Sequence, residues 1–191
     1  MKYLLIDSEY CSMGRWISWI IAEEFNMKMF EADDVARNIE WLGVDRLNQF
    51  YSRIAGMEVE DIRKDEEFIR IKEALTSKAL EMCEDSNCII HEMCAAEFID
   101  QKHEVIKTMI YCSDLEGKIK RARTDKKFPG LENASREQVI SHIEVQDLGR
   151  KKYHDACSSK EYGKKENYDI LIDTGLFGKE HSARILLEAV K

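Results

Sequence analysis

The residues from Ser8 to Gly14, Ser-Glu-Tyr-Cys-Ser-Met-Gly, have the composition and position of an anion-binding loop. They follow a short apolar run at residues 3–6 and precede a helical pattern that begins at Arg15. A loop that leads from a strand into a helix presents unpaired backbone N–H groups and the positive end of the helix dipole, and anions bind there. The sequence therefore predicts a phosphate site formed by Tyr10, Cys11, Ser12, Met13, Gly14 and Arg15.

This loop departs from the common phosphate-binding pattern G-x-x-x-x-G-K-[ST]. Only Gly14 is kept, and neither the lysine nor the hydroxyl residue follows it. An ordinary connection between a strand and a helix, capped by the Ser12 side chain, is the alternative interpretation.

A basic segment lies within an otherwise acidic chain. The net charge of −8 argues against nucleic acid or an anionic membrane as the main partner. Residues 118–165, however, contain 13 lysines and arginines against 7 aspartates and glutamates. Such a segment is typical of a place that receives a small, multiply charged anion, although a solvent-exposed charged helix has the same composition.

Five apolar runs predict the strands that position the loop. They occupy residues 3–6, 27–30, 88–91, 105–112 and 168–173. Helices are predicted to begin near residues 15, 31 and 43 and to span residues 66–82, 95–102 and 179–190, whereas residues 56–65 are predicted to form a charged loop. Two more helices are expected after capping boxes that begin at Ser113 and Ser135.

This alternation of strands and helices predicts an α/β fold of three layers. A parallel five-stranded sheet is expected between two layers of helices, within a single domain over residues 1–191. Ligands of such sheets bind beyond the carboxyl ends of the strands. The loop, residues 91–94 and Ser113 would meet there.

Composition and cysteine spacing limit the chemistry further. No apolar run approaches the roughly 18 residues of a membrane span and no signal peptide is found, so we expect a cytoplasmic protein with no membrane partner. The six cysteines form no C-x-x-C pair and are expected to be reduced. Cys88, His91 and Cys94 offer a zinc alternative, but no second ligand pair has metal spacing, and no protein-held metal site is predicted.

Four segments together resemble the cytidylate kinase-like family of P-loop nucleoside monophosphate kinases. They are SEYCSMGRWI, CIIHEMCA, the D-x-x-R-x-x-Y motif at Asp147, Arg150 and Tyr153, and YDILIDT, and their order matches over nearly the whole chain. The family's loop typically has the sequence S-R-E-Y-G-S-G-G-R. Ser8, Cys11 and Met13 stand where that loop has an arginine and two glycines, and Glu92 and Met93 replace a glycine and an arginine after the third strand.

The resemblance implies an ATP- and magnesium-dependent kinase with a helical insert at about residues 31–83 and a helical lid at about residues 118–165. It assigns Arg15, Arg121 and Arg150 to the phosphates and places Asp169, Asp173 and Thr174 beside the nucleotide base. The partner would be a nucleotide or another small phosphorylated substrate, and a homodimer is possible. The alternative is a catalytically inactive relative that binds a nucleotide or a protein partner.

Several residues keep two interpretations at this stage. Arg150 would otherwise pair with Asp147 or Glu144, and Arg121 with Glu116 or Asp125. His91 faces either the core or the site. Glu92 would repel a phosphate, but it could hold magnesium or accept the proton of a substrate hydroxyl. Side chains at Cys11 and Met13 are expected to narrow the site, since glycine tolerates positive φ without intruding on a ligand.

Overall fold

The computed structural model describes residues 2–99 and 102–191, and a parallel sheet of five strands lies at its centre. The strands are β1 (Lys2–Ser8), β2 (Lys28–Glu31), β3 (Cys88–His91), β4 (Glu104–Tyr111) and β5 (Ile170–Asp173). Their order across the sheet is β2-β3-β1-β4-β5, and every neighbouring pair is parallel. The predicted three-layer α/β fold is confirmed.

Helices cover both faces of the sheet because its central strand is apolar on both sides. Leu4 and Ile6 of β1 point to the face covered by α1 (Gly14–Phe25) and α8 (Thr174–Val190). Leu5, on the opposite face, packs in the larger core with helices α2 (Ala32–Arg37), α3 (Gly43–Ala55), α5 (Glu66–Cys83) and α7 (Arg136–Cys157). The sheet thereby fixes where its carboxyl ends, and the loop after β1, are held.

The segment from residue 56 to residue 65 is not the loop that its charge pattern predicts. Residues Val59–Lys64 form helix α4, whose Ile62 is fully buried in the larger core. Asp65 then caps α5 by accepting a hydrogen bond from the Phe68 N–H at 2.8 Å. One buried isoleucine in a six-residue helix is too little to create a visible apolar period, so the prediction was wrong there.

The region predicted as a lid contains α6 (Leu115–Ala122) and α7, joined by a segment with a short 3-10 turn at Leu131–Asn133. A third, small core of Ile119, Ala122, Val139 and Ile143 lies between the two helices and also buries Tyr10 of the loop after β1. The capping box at Ser135 is confirmed. The prediction of a capping box that begins at Ser113 is wrong, because Asp114 caps α6 by accepting a hydrogen bond from the Gly117 N–H.

Other boundaries also differ from the predictions. Residues Ala95–Glu97 form only a 3-10 turn, and part of the helix predicted over 95–102 lies outside the described residues. Helix α8 starts at Thr174, five residues before the prediction, and is kinked at Gly178. Within the described part of the chain, no helix is long and apolar enough to span a membrane.

Candidate functional site

A cleft of about 810 Å³ opens at the carboxyl ends of β1, β2 and β3. Its volume is in the range of small-molecule sites, and its place is where parallel sheets bind ligands. The cleft is lined by the loop after β1, by parts of α2 and α3, and by parts of α6 and α7. All the residues predicted to bind phosphate lie in this lining: Tyr10, Cys11, Ser12, Met13, Gly14, Arg15, Arg121 and Arg150.

The loop adopts left-handed backbone at the two positions where the family has glycine. Cys11 has a φ of 61° and Met13 a φ of 70°. A side chain in this region costs roughly 1–2 kcal/mol per residue. The loop therefore keeps the conformation for which glycine is suited, although it carries side chains there.

The N-terminus of α1 provides unpaired backbone donors at this loop. Among the described residues, none accepts a hydrogen bond from the backbone N–H groups of Met13, Gly14 or Arg15. The Ser12 N–H differs from these three, because it donates a hydrogen bond to the Glu9 carbonyl within the loop at 3.2 Å. Its side chain also fails to cap α1, since the N-cap is Met13. Free donors at a helix N-terminus are typical of anion-binding sites.

Gly14 allows three parts of the site to approach closely. A Cβ atom at this position would lie 2.6 Å from the Ser8 Cβ and 3.0 Å from the Nε2 of His91. Both atoms belong to buried side chains. Only a residue without a side chain can begin α1 at this distance from β1 and β3.

A partly buried charge network fixes the first half of the loop. Asp147 accepts a hydrogen bond from the Tyr10 N–H at 2.5 Å and contacts the Lys118 ammonium at 2.7 Å. Lys118 is buried and also contacts Glu9 at 3.1 Å. Burial would lower the pKa of Lys118, but the two carboxylates outweigh it and raise that pKa above its ordinary value. This network ties the loop to α6 and α7 through charge-assisted bonds.

Two further bonds fix the second half of the loop. The Thr174 hydroxyl donates to the Ser12 carbonyl at 2.8 Å, and Arg121 donates from Nε to the Cys11 carbonyl at 2.6 Å. Arg121 thus supports the loop directly and does not pair with Glu116 or Asp125. Asp169 lies apart from this region, before β5, where it is hydrogen-bonded to Lys107. It is not part of the cleft lining, and its place beside the base stays a prediction.

Arg150 is held by groups other than the helix partners considered for it. Its guanidinium donates to the Ser8 carbonyl at 2.8 Å and contacts the Glu92 carboxylate at 2.5 Å. Burial would lower the pKa of Arg150, but Glu92 outweighs it and the pKa is raised. Arg15 is more open, with 58% of its side chain exposed, and it lies 3.1 Å from Glu31.

The backbone after β3 is strained over three consecutive residues. Glu92, Met93 and Cys94 have φ values of 67°, 70° and 53°, so a stretch without glycine runs through the left-handed region. Such strain is often concentrated at functional sites. The Glu92 N–H donates to the Ile6 carbonyl at 2.6 Å, which fixes this turn against β1. The sequence shows that Glu92 stands where the family has glycine. It does not indicate that Met93 and Cys94 also adopt the left-handed conformation.

His91 is buried at the base of the cleft and is uncharged at neutral pH. Its Nε2 lies 2.9 Å from the Ser8 hydroxyl, while its Nδ1 has no hydrogen-bond partner in the described part of the chain. Burial, aided by Arg150, outweighs the opposing effect of Glu92 and lowers the pKa of His91 to about 4. His91 therefore lies in the core and also lines the cleft, so both of the positions considered for it apply.

Sequence reasoning missed the acidic side of the cleft. Glu31, at the end of β2, was predicted only as a helix start, yet it is buried in the cleft lining. Burial raises the pKa of Glu31 above its ordinary value, although Lys127 and Arg15 oppose the shift. Asp33 is buried beside it and contacts Lys127, which comes from the segment between α6 and α7, at 2.5 Å. This contact closes the lid region onto α2.

The described residues contain no group of three His, Cys, Asp or Glu side chains able to hold a metal by themselves. Two buried oxygens of the cleft lining, Ser12 Oγ and Glu31 Oε1, have no hydrogen-bond partner in that same part of the chain. Glu31 Oε1 does lie 3.1 Å from Arg15, without the geometry of a hydrogen bond. Oxygen donors of this kind fit a magnesium ion that is bound together with phosphates.

Comparisons with known proteins show the family and the fold of the chain. A model of the cytidylate kinase-like family matches residues 5–176. The structure of an uncharacterized protein from Eubacterium ventriosum ATCC 27560 is similar with a TM-score of 0.70 and 16% identity, covering 100% of this chain and 98% of that one. A comparison with curated proteins gives no sequence match.

Two solved kinases have a similar fold. Shikimate kinase from Bacteroides thetaiotaomicron has a TM-score of 0.58 and 12% identity, covering 98% of this chain and 97% of that one. Deoxyadenosine kinase from M. mycoides, solved with bound dATP, has a TM-score of 0.52 and 13% identity, covering 99% of both chains. At these identities the similarity shows the fold of P-loop kinases.

Gly14→Ala tests the close approach of α1 to β1 and β3. The added methyl would collide with Ser8, so we expect the free energy of unfolding to fall by about 1–3 kcal/mol, as in overpacked cores. Gly56→Ala is the matched control, because its Cβ would lie 3.7 Å from the nearest atom, the Arg53 carbonyl oxygen. Urea unfolding measures both variants. Equal losses of stability would contradict the packing described for Gly14.

The lowered pKa of His91 predicts a loss of stability in mild acid. As pH falls from 6.5 to about 4, the unfolded chain binds a proton at this residue and the folded chain does not. The contribution is present above pH 6.5 and is lost towards pH 4, by about 3 kcal/mol in total. Urea unfolding across this range should show a weaker pH dependence for His91→Gln than for the wild type. Parallel curves would show that His91 titrates normally.

Proposed function

Because the chain belongs to the cytidylate kinase-like family, we propose that it binds ATP with magnesium and transfers the terminal phosphoryl group to a small acceptor. The observation that carries this proposal is the N-terminus of α1, which opens into the cleft with the unpaired N–H groups of Met13, Gly14 and Arg15. Donors of this kind are rarely left free at a helix end unless water or an anion binds them.

The cations near the loop suit the donor phosphates. Arg15 is largely exposed at the first turn of α1, and Arg121 lines the cleft while it supports Cys11. Phosphoryl transfer depends mainly on positioning and on neutralising the charge of the transferred group. Arg15 and Arg121 would supply that charge, and Arg150 would act from the opposite wall of the cleft.

Glu31 is the carboxylate that we expect to hold the magnesium ion. It is buried at the end of β2 and lines the cleft, and its Oε1 lies 3.1 Å from Arg15 without accepting a hydrogen bond from any described residue. Magnesium is usually bound by one or two carboxylates together with substrate phosphates. The ion would neutralise part of the phosphate charge.

The acceptor would enter between the insert helices and the lid. Asp33 on α2 and Lys127 of the lid region meet at 2.5 Å, so this contact has to open for a substrate to pass and would close again behind it. Closure of this kind excludes water from the transferred phosphoryl group.

A second function, nucleotide binding without transfer, is favoured by the state of Arg150. Its guanidinium is already neutralised by Glu92 at 2.5 Å, and the loop carries side chains at both left-handed positions. A cation that is paired in this way stabilises developing charge less than a free one.

Arg121→Ala tests the nucleotide site. Loss of a charge-assisted bond should weaken the binding of Mg·ATP by about 1.5–3 kcal/mol, which isothermal titration calorimetry can measure. Arg184→Ala, an exposed position on α8 at a distance from the cleft lining, should bind as the wild type does. Equal affinities of both variants, or no binding by the wild type, would contradict the proposed site.

Turnover then separates the two functions. A kinase releases ADP at a rate that depends on an added acceptor, whereas a binding protein has the same affinity and no acceptor-dependent ADP release. A coupled ADP assay with the wild type, run at the ATP concentration that saturates the calorimetric site, distinguishes them.

A further inference from the structure

We call the part of the cleft lined by α2, α3, Glu92, Lys127 and Arg150 its acceptor side, opposite Arg15 and Arg121. Among the residues that the structure describes, this side has no cation without a carboxylate partner that could receive a second phosphate. Arg150 is neutralised by Glu92 at 2.5 Å and Lys127 by Asp33, also at 2.5 Å. Both pairs belong to the cleft lining. At the position where the family has an arginine after β3, this chain has Met93, which is buried.

Several contacts fix Glu92 in place, and moving its carboxylate away from a ligand would require breaking them. Its backbone is left-handed, its N–H is bonded to Ile6, and its Oε1 lies within 3.4 Å of the Ser8 hydroxyl as well as beside Arg150. A phosphate monoester carries close to two negative charges at neutral pH and would meet this carboxylate directly. Repulsion between the carboxylate and the phosphate would disfavour binding.

The other groups on the acceptor side suit hydroxyls. Asn48, Tyr51 and Ser52 of α3 line the cleft, and each has an uncharged polar group. Burial holds the pKa of Tyr51 well above its ordinary value, so its phenol remains neutral. Glu31 is buried in the same lining, but its Oε1 lies 3.1 Å from Arg15 and belongs to the proposed magnesium site rather than to the acceptor side.

We propose that the acceptor is an uncharged, hydroxyl-bearing molecule and that Glu92 accepts the proton of its hydroxyl. This inference rests on the proposed function. The acceptor oxygen forms a bond to the terminal phosphorus of ATP as the bond from that phosphorus to the bridging oxygen breaks. The hydroxyl proton passes to the Glu92 carboxylate and ADP leaves. Arg150 holds Glu92 in position and lies beside the transferred group.

Matched pairs of probes test the acceptor class. Cytidine and CMP, adenosine and AMP, and glycerol and glycerol 3-phosphate differ within each pair only by the phosphate. With Mg·ATP, the wild type should transfer phosphate to an uncharged member and not to its phosphorylated partner. Calorimetry with Mg·ADP present should show no binding of CMP, AMP or glycerol 3-phosphate at millimolar concentration.

Glu92→Gln should lower transfer to the uncharged probe and raise the affinity for the phosphorylated probes. Transfer to the uncharged probe should fall by about 10²–10⁴-fold, the usual contribution of a general base. Binding of the phosphorylated probes should rise at least tenfold, because Arg150 loses its carboxylate partner. Glu92→Asp should recover part of the transfer rate, and Glu84→Gln, an exposed position at the end of α5, should match the wild type in every measurement.

The outcomes separate this inference from the proposed function. Wild-type transfer to a phosphorylated probe, or unchanged affinity of Glu92→Gln for those probes, would overturn the acceptor class. Mg·ADP binding without transfer to any probe would overturn the role of Glu92 and favour the binding function. A wild type that does not bind Mg·ADP would reject the proposed function itself, and a melting temperature within a few degrees of wild type confirms that each variant is folded.

Discussion

Left-handed backbone at Cys11 and Met13 is the constraint on which the rest of the site depends. Each of these residues costs roughly 1–2 kcal/mol relative to an ordinary conformation, and glycine would remove most of that cost. Asp147 accepts a hydrogen bond from the Tyr10 N–H, and Arg121 donates one to the Cys11 carbonyl. Both bonds are charge-assisted, and bonds of this kind contribute about 1.5–3 kcal/mol each. These bonds are large enough to offset the strain, so the loop keeps its shape through contacts with α6 and α7.

This arrangement couples the loop to the lid. Tyr10 is buried in the small core between α6 and α7, and its hydroxyl donates to Asp125 at 2.7 Å. Lys118 and Asp147 bring two helices to the same end of the loop. The lid region is also joined to α2 by Lys127 and Asp33. A movement of the lid would therefore change the loop that we propose holds the donor phosphates.

The sequence predicted the sheet, the helix after the loop and the clustering of the candidate site residues, because these depend on short apolar runs and on parallel topology. It also located the left-handed positions Cys11 and Met13 through the glycines of the family pattern. The pairings of Arg150 with Glu92 and of Lys127 with Asp33 could not be predicted, since their partners are distant in sequence and several carboxylates compete for each cation. Helix α4 was missed because its only buried side chain is Ile62.

The pairing of Arg150 with Glu92 neutralises a cation of the cleft lining. The family pattern has glycine and arginine after the third strand, and this chain has a carboxylate and a buried methionine. In the function that we propose, this exchange leaves the acceptor side of the cleft without a free cation. The proposed donor side keeps its N–H groups, because the free N–H groups of α1 depend on backbone and not on side-chain identity.

We propose that the N-terminus of α1 binds the phosphates of a nucleotide, and titration of ¹⁵N-labelled protein with Mg·ADP, followed by amide NMR, tests this binding. The largest shifts are expected at the amides of Met13, Gly14 and Arg15, whereas the amide of Ser12, which is bonded to Glu9, should shift less. Saturation of binding with these three amides unperturbed, or no perturbation at millimolar Mg·ADP, would contradict it.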